Sequence, residues 1–213
     1  MKTDALIDAI VASGGAAQTR SVRRRYAVML AVGTVVTALV AMSTLGPRHD
    51  FAYAIALPMF WIKLGFVASL AILGTLGAFR SGLPGRRVSA LLIGIVAVVG
   101  GIWIVAIAAL VESTPVARGA LLLGDTWRTC PWLVGGLSIP VFVAIASAMR
   151  RMAPTHPHRA GALAGFASGA TAALVYAFHC PELAAPFIGT WYVLGMLVPT
   201  LAGAVLGARL FRW

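Results

Sequence analysis

Six long apolar runs, separated by short polar breaks, occupy most of the chain. They extend over residues Tyr26–Leu45, Ala56–Phe79, Val88–Val111, Pro131–Met149, Ala160–His179 and Ala185–Leu206. Each run has roughly the 20 residues that an α-helix needs to cross a bilayer. Because the runs are continuous and do not alternate in segments of about 10 residues, they favour helices over a β-barrel. The pattern predicts an all-α integral membrane bundle of six transmembrane helices.

The composition agrees with a membrane protein. Hydrophobic residues make up 60% of the 213 positions and charged residues 11%, and the mean hydropathy is +0.92. Soluble domains carry about 25% charged residues. The connections between the runs are too short to hold a separate soluble domain, so we divide the chain into a polar segment, residues 1–25, and a transmembrane domain, residues 26–213.

The basic residues predict the orientation. With six spans, the side that holds both termini carries 13 basic and 2 acidic residues, and the other side carries 4 of each. Lysine and arginine concentrate on the cytoplasmic side of membrane proteins. We therefore expect both termini in the cytoplasm and the other face on the outside of the cell or in the periplasm. The net charge of +11 then favours contact with anionic lipid headgroups, and it does not indicate direct binding of nucleic acid.

The first 25 residues contain a short amphipathic pattern. Thr3 suits a helix N-cap, and Leu6, Ile7 and Ile10 then fall on one face of a helix that ends near Ser13. A helix of about nine residues is marginal in water and needs a surface to fold on. A protein groove and the membrane surface are both candidates, and a frayed tail is the third alternative.

The chain has two cysteines, and each precedes a proline. Cys130 lies in "TWRTCPW" and Cys180 in "HCPEL", at the outer ends of consecutive predicted spans. A disulfide, two inert thiols, a thiol sensor and a soft-metal site that includes His179 all remain open. Pro131 suits the first turn of a helix, which places Cys130 near the N-terminus of that helix. The unpaired backbone N–H groups there stabilise a thiolate and Arg128 adds a positive charge, so we expect Cys130 to be the more reactive thiol.

Lys63 lies inside the second predicted span, in "PMFWIKLGF". A charge at this depth is costly unless the side chain reaches the interface or finds a partner. We expect it to extend to the outer interface beside Tyr53 and Trp61. The alternative is a partner near the cysteines, such as Glu182, which would make Lys63 an auxiliary residue of the cysteine site.

Enzymatic function finds no support in the sequence. The chain has no HExxH, no glycine-rich phosphate loop, no CxxC and no carboxylate pair within the spans. It therefore predicts no catalytic residue, no small-molecule substrate and no certain cofactor, and a soft metal ion at Cys130, Cys180 and His179 is the one candidate.

The "MKTDALIDAI" opening, the arginine cluster of "RSVRRR", the six apolar runs and the two Cys-Pro motifs together resemble the NrsF-type family. Its members are negative regulators of sigma-F, an extracytoplasmic-function (ECF) sigma factor of proteobacteria. The resemblance implies a membrane-bound anti-sigma factor whose residues 1–25 hold the sigma factor, with Leu6, Ile7 and Ile10 as our choice of contacts. It also implies that Cys130 and Cys180 sense heavy-metal or oxidative stress from the periplasm and trigger release.

Two other classes of protein remain as alternatives. One is a small membrane transporter or a thiol-redox or metal-handling membrane protein, in which the cysteines and His179 act on a metal ion or a disulfide. The other is a membrane scaffold with an inert disulfide. Charged residues near the ends of the spans argue against a transporter, because transport sites place ionisable groups near the middle of the bilayer.

Overall fold

The computed structural model describes residues 16–48 and 50–211, and the regular elements in these ranges are all helical. Eight helices follow one another along the chain: α1 (Ala16–Thr44), α2 (Phe51–Ile55), α3 (Pro58–Ser81), α4 (Ser89–Glu112), α5 (Pro115–Leu123), α6 (Cys130–Met149), α7 (Pro157–Tyr176) and α8 (Ala185–Leu210). The predicted helix near the N-terminus, with Leu6, Ile7 and Ile10, lies outside the described residues.

Five of the helices are long and apolar enough to cross a membrane. They are α1, α3, α4, α6 and α8, with mean hydropathies between 1.7 and 2.8 over their most apolar windows. Prolines at the first turns of α3, α6 and α8 explain where these helices begin, since the first turn has no use for the missing N–H. The apolar pattern did not predict two short helices, α2 and α5, because neither contains an apolar run of spanning length.

Helix α7 covers the fifth predicted span, Ala160–His179, but has a different character from the other long helices. Alanine, glycine, serine and threonine form most of its 20 residues, which lowers its hydropathy below that of the other five. It is also the central helix of the bundle, packed against α8, α3, α6 and α1. Small side chains suit this place, because they let several neighbouring helices approach one axis closely.

Glycines bring the backbones of α7 and α8 into direct contact. A Cβ atom built on Gly165 would overlap the carbonyl oxygen of Pro199 and lie 2.8 Å from the Cα of Thr200. A Cβ on Gly161 would overlap the carbonyl oxygen of Gly203. Glycine is therefore required at these contacts, and the GxxxG spacing of α7 serves close packing of helices.

Helix α8 contains a π-helical turn. Residues Ile188–Tyr192 form this turn, which widens the helix and shifts the side chains that follow it. The buried Tyr192 closes the turn and belongs to the same cluster of buried residues as Cys130 and Cys180. The turn thus places Tyr192 beside the segment that carries Cys180, as described below.

The glycine contact predicts a sharp difference between two alanine variants. Gly165→Ala places a methyl group against the backbone of α8 and should cost about 1–3 kcal/mol of stability. Gly100→Ala is the matched control, because a Cβ there meets nothing within 4 Å. Thermal unfolding in detergent should show a lower midpoint for Gly165→Ala and an unchanged or higher midpoint for Gly100→Ala. Equal midpoints would contradict the close contact.

Candidate functional site

The two cysteines lie in the same part of the core. Cys130 begins α6, and Cys180 lies in residues 177–184, the connection between α7 and α8. Both are fully buried free thiols, so the structure holds no disulfide between them. They belong to one cluster of buried residues that also contains Tyr176 and Tyr192. The start of α6, the end of α7 and the start of α8 therefore form a single candidate site around the thiols.

Lys63 points into this site. Its side chain is fully buried, and Nζ donates hydrogen bonds to the backbone carbonyls of Cys180 at 2.8 Å and Glu182 at 3.0 Å. The same Nζ lies 5.2 Å from the centre of the Tyr192 ring, a cation–π distance. The expectation that Lys63 extends to the outer interface is wrong. Acceptors supplied by the 177–184 connection satisfy the buried ammonium group and remove the need to reach water.

Glu182 ties the Cys180 connection to the chain before Cys130. Its carboxylate accepts hydrogen bonds from the backbone N–H of Asp125 at 2.7 Å and of Thr126 at 3.3 Å. The carboxylate occupies the space where a Cβ on Gly124 would lie, at 2.6 Å, and Gly124 has φ +54° and ψ −167°. Only glycine adopts this backbone conformation readily. Gly124 thus makes room for the tie and supplies its backbone shape.

A second basic side chain is buried in the loop after α1. The Arg48 guanidinium donates two hydrogen bonds to the Asp50 carboxylate, at 2.7 and 2.6 Å, and these bonds raise the pKa of Arg48. In the same loop, the carbonyl of Gly46 lies 2.8 Å from Nδ1 of His179. His179, the residue before Cys180, therefore makes a structural contact between this loop and the 177–184 connection.

Arg128 is directed to an aromatic pair. Its guanidinium lies 5.1 Å from the centre of the Trp127 ring, and Trp127 packs on Trp191 with ring centres 5.3 Å apart. Trp191 in turn donates a hydrogen bond from Nε1 to the carbonyl of Leu122 at 2.7 Å. The segment before α6 is thus anchored on the π-helical turn of α8. We expected Arg128 to make Cys130 the more reactive thiol, but its guanidinium makes this cation–π contact instead.

The surroundings favour Cys180 as the thiolate. Hydrogen bonding from the Cys130 thiol lowers the pKa of Cys180, while burial opposes this change and the positive charge of Lys63 adds to it. We expected Cys130 to be the more reactive thiol from its place at a helix N-terminus. That argument considered only nearby residues of the chain, whereas Lys63 reaches Cys180 from α3.

A preformed metal site is not found in the described part of the chain. No group of three or more His, Cys, Asp or Glu side chains within residues 16–48 and 50–211 could hold a metal ion. The candidate ligand His179 uses Nδ1 in its contact with the Gly46 carbonyl. Cys130 and Cys180 remain as two sulfur donors, which suit soft ions.

Sequence reasoning missed several members of the site. Tyr176 and Tyr192 are buried against the cysteines, and nothing in the apolar runs that contain them marks them as different from other aromatic residues. The ion pair between Arg48 and Asp50 could have been predicted from "RHD", since an arginine two residues before an aspartate in a short loop can form a local ion pair. The sequence indicates Glu182 as a charge partner of Lys63, whereas its backbone carbonyl makes that contact.

Comparison with known proteins identifies related sequences over the whole chain. The family described as negative regulator of sigma F matches residues 11–213. The chain is 43% identical to the probable anti-sigma-F factor NrsF of Azospira oryzae and 36% identical to the anti-sigma-F factor NrsF of Caulobacter vibrioides. Both comparisons cover 100% of each chain. No solved structure matches the chain.

The tie at Glu182 predicts the effect of a substitution at Gly124. Gly124→Ala should displace the carboxylate and strain the backbone, at a cost of about 1–3 kcal/mol. Gly119→Ala is the control, because a Cβ at that position of α5 meets nothing within 4 Å.

Labelling of native protein with a maleimide measures the result. Because each 1.4 kcal/mol changes an opening equilibrium about tenfold, Gly124→Ala should label Cys130 and Cys180 roughly 5 to 150 times faster than the parent. The Gly119→Ala protein should label at the parental rate. An unchanged rate in Gly124→Ala would show that the tie does not protect the thiols.

Proposed function

Because the chain belongs to the family of negative regulators of sigma F, we propose that it holds an ECF sigma factor at the inner membrane and releases it when Cys130 and Cys180 react. An anti-sigma factor has a regulatory role and not a catalytic one. The observation that carries the proposal is the full-length match to anti-sigma-F factors, in a chain whose only two cysteines share one buried site.

The proposed topology has six spans with both termini in the cytoplasm. Besides the five most apolar helices, α7 also spans, as the fifth of six in chain order: its 20 residues are about 30 Å long, the thickness of the hydrocarbon core. Neighbouring helices enclose it, so it does not need the apolar surface of a lipid-facing helix. The connections α3–α4 and α6–α7 carry arginines, which supports a cytoplasmic position for them and a periplasmic position for the cysteine site.

The sigma factor would bind the segment of residues 1–25. Leu6, Ile7 and Ile10 form the apolar stripe of a helix that gains its stability from the partner's groove. The arginines at the end of this segment, Arg20 and Arg23–Arg25, directly precede the first span and keep the segment close to the membrane surface. Sequestration at the membrane then prevents the sigma factor from reaching RNA polymerase.

Two kinds of stress can act on the thiols. A soft divalent metal ion binds both sulfurs and displaces the thiol protons to solvent. A peroxide oxidises them in two steps: the Cys180 thiolate attacks one peroxide oxygen, which forms a sulfenic acid as hydroxide leaves. The Cys130 thiol then attacks the sulfenic sulfur, forms the disulfide and releases water, so that the peroxide is reduced by two electrons. His179 and Arg128 would act as auxiliary residues by holding the loops around the thiols.

The cysteine proposal predicts loss of the response without loss of binding. In vesicles that contain the full chain and its sigma factor, Cd²⁺ or hydrogen peroxide should release the sigma factor from wild-type protein. The Cys130→Ser/Cys180→Ser protein should retain it, because serine neither binds soft metals nor forms a disulfide. Co-sedimentation of the sigma factor with the vesicles measures both results.

Thr129→Ser is the matched control for this experiment, since Thr129 is exposed beside Cys130 and serine keeps its hydroxyl group. Release from the doubly substituted protein at the wild-type dose would refute sensing by the cysteines. Uptake of the metal ion into vesicles without a bound partner would instead support the transporter alternative.

The binding proposal predicts that the sigma factor is captured through one helix face. Leu6→Asp or Ile10→Asp should weaken capture by about 30-fold or more, because each buries an unpaired charge in the groove. Ala5→Asp adds the same charge on the opposite face of the helix and should bind like the parent. Titration of the full chain in detergent with the purified sigma factor measures the affinities, and equal loss in all three variants would contradict a specific face.

A further inference from the structure

Lys63 depends on other segments for all of its polar contacts. It belongs to α3, yet the two acceptors of Nζ are the carbonyls of Cys180 and Glu182, more than 100 residues along the chain. The side chain has no exposed surface. An ammonium group in this position is stable only while its acceptors stay in place, since a buried charge without a partner is strongly unfavourable.

One of the two acceptors belongs to a reactive residue. The backbone carbonyl of Cys180 accepts the 2.8 Å hydrogen bond from Nζ of Lys63. The sulfur of Cys180 is only three covalent bonds from the carbon of this carbonyl, so a reaction at the sulfur acts close to the acceptor. Glu182 holds the same connection to the backbone of Asp125 and Thr126, which precede Cys130. A movement of either cysteine therefore displaces the connection that carries both acceptors of Lys63.

The far end of α3 contacts the helix that leads from the N-terminal segment. The Tyr26 hydroxyl of α1 donates a hydrogen bond to the carbonyl of Thr75 in α3 at 2.9 Å. Tyr26 also packs against Phe79, with ring centres 5.2 Å apart. Beside these contacts, α1 and α3 line a cavity of about 490 Å³ with Arg23, Arg80 and other residues. α3 thus runs from the cysteine site to the base of α1.

We propose that Lys63 is the positioning residue that couples a change at Cys180 to a movement of α3 against α1. When the 177–184 connection shifts, the ammonium group loses its acceptors, and α3 moves so that Lys63 reaches other acceptors or water. This displaces Thr75 and Phe79 from Tyr26 and changes how the start of α1 is held. The inference rests on the proposed function for its consequence, which is release of the sigma factor, but not for the movement itself.

The experiment compares variants of Lys63 in the full chain, reconstituted in vesicles. Lys63→Met keeps the length and removes the charge, and Lys63→Gln also keeps a donor for the carbonyls. Lys63→Arg restores a charged donor. Arg118→Gln is the control, since it removes an exposed positive charge to which the site assigns no role and whose Nε donates a hydrogen bond to the carbonyl of Leu110.

Each protein is treated with Cd²⁺ or hydrogen peroxide, and mass spectrometry confirms that both cysteines are modified to the same extent. Hydrogen–deuterium exchange of Thr75–Ser81 then measures the movement of α3 in the absence of the sigma factor. Co-sedimentation of the sigma factor reads release.

We expect faster exchange at the Thr75–Ser81 end of α3 after treatment in the wild type, Lys63→Arg and Arg118→Gln. Lys63→Met and Lys63→Gln should show no change in exchange and at least tenfold less release at equal thiol modification. If these two neutral variants respond like the wild type, the coupling role is refuted. It is also refuted if they are folded and release the sigma factor without treatment, because the tie would then only stabilise the resting state. If Lys63→Met does not fold, Lys63→Gln decides between the outcomes.

The two proposals fail in different ways. If the cysteine variants still release the sigma factor, the sensing proposal fails whatever Lys63 does. If release needs the cysteines but exchange in α3 is the same with and without the Lys63 charge, only the coupling inference fails.

Discussion

The backbone contact between α7 and α8 is the constraint on which the cysteine site depends. Gly161 and Gly165 let the start of α7 touch the second half of α8 backbone to backbone, and this contact restricts how far the two helices can separate at the connection between their other ends. Residues 177–184 then have little freedom, because both of their flanking helices are anchored in the core. Cys180 and Glu182 are therefore presented to α3 and to the start of α6 at a defined depth.

The site around this connection is built from polar groups that the core must satisfy. Lys63 takes two backbone carbonyls, and Glu182 takes two backbone N–H groups. A well-packed apolar core would be as stable or more so, since buried charges cost more in desolvation than they usually return. Retaining both charges beside the two cysteines thus favours a role in responding to change over a role in stability alone. Such a role agrees with membership in a family of regulators.

The sequence predicted the parts of this structure that depend on local patterns. Apolar runs and prolines predicted the long helices and most of their boundaries, and the small residues predicted that α7 packs closely on a neighbouring helix. The sequence did not predict the direction of Lys63, because that depends on carbonyls more than 100 residues away. It also favoured Cys130 as the reactive thiol, since a helix N-terminus is visible in sequence and the meeting of Lys63 with Cys180 is not.

Burial of both thiols determines what kind of reaction the site can perform. Cys130 and Cys180 have no exposed surface, so a reagent reaches them only when the covering segments open. An enzyme that used them would need an open cleft for its substrate, whereas a sensor needs only occasional access for small ions or oxidants. The covering segments are held by Glu182 on the backbone of Asp125 and by His179 on the carbonyl of Gly46. The strength of these contacts sets how often the thiols are exposed. Under the proposed function, it would also set how much stress is needed for a response.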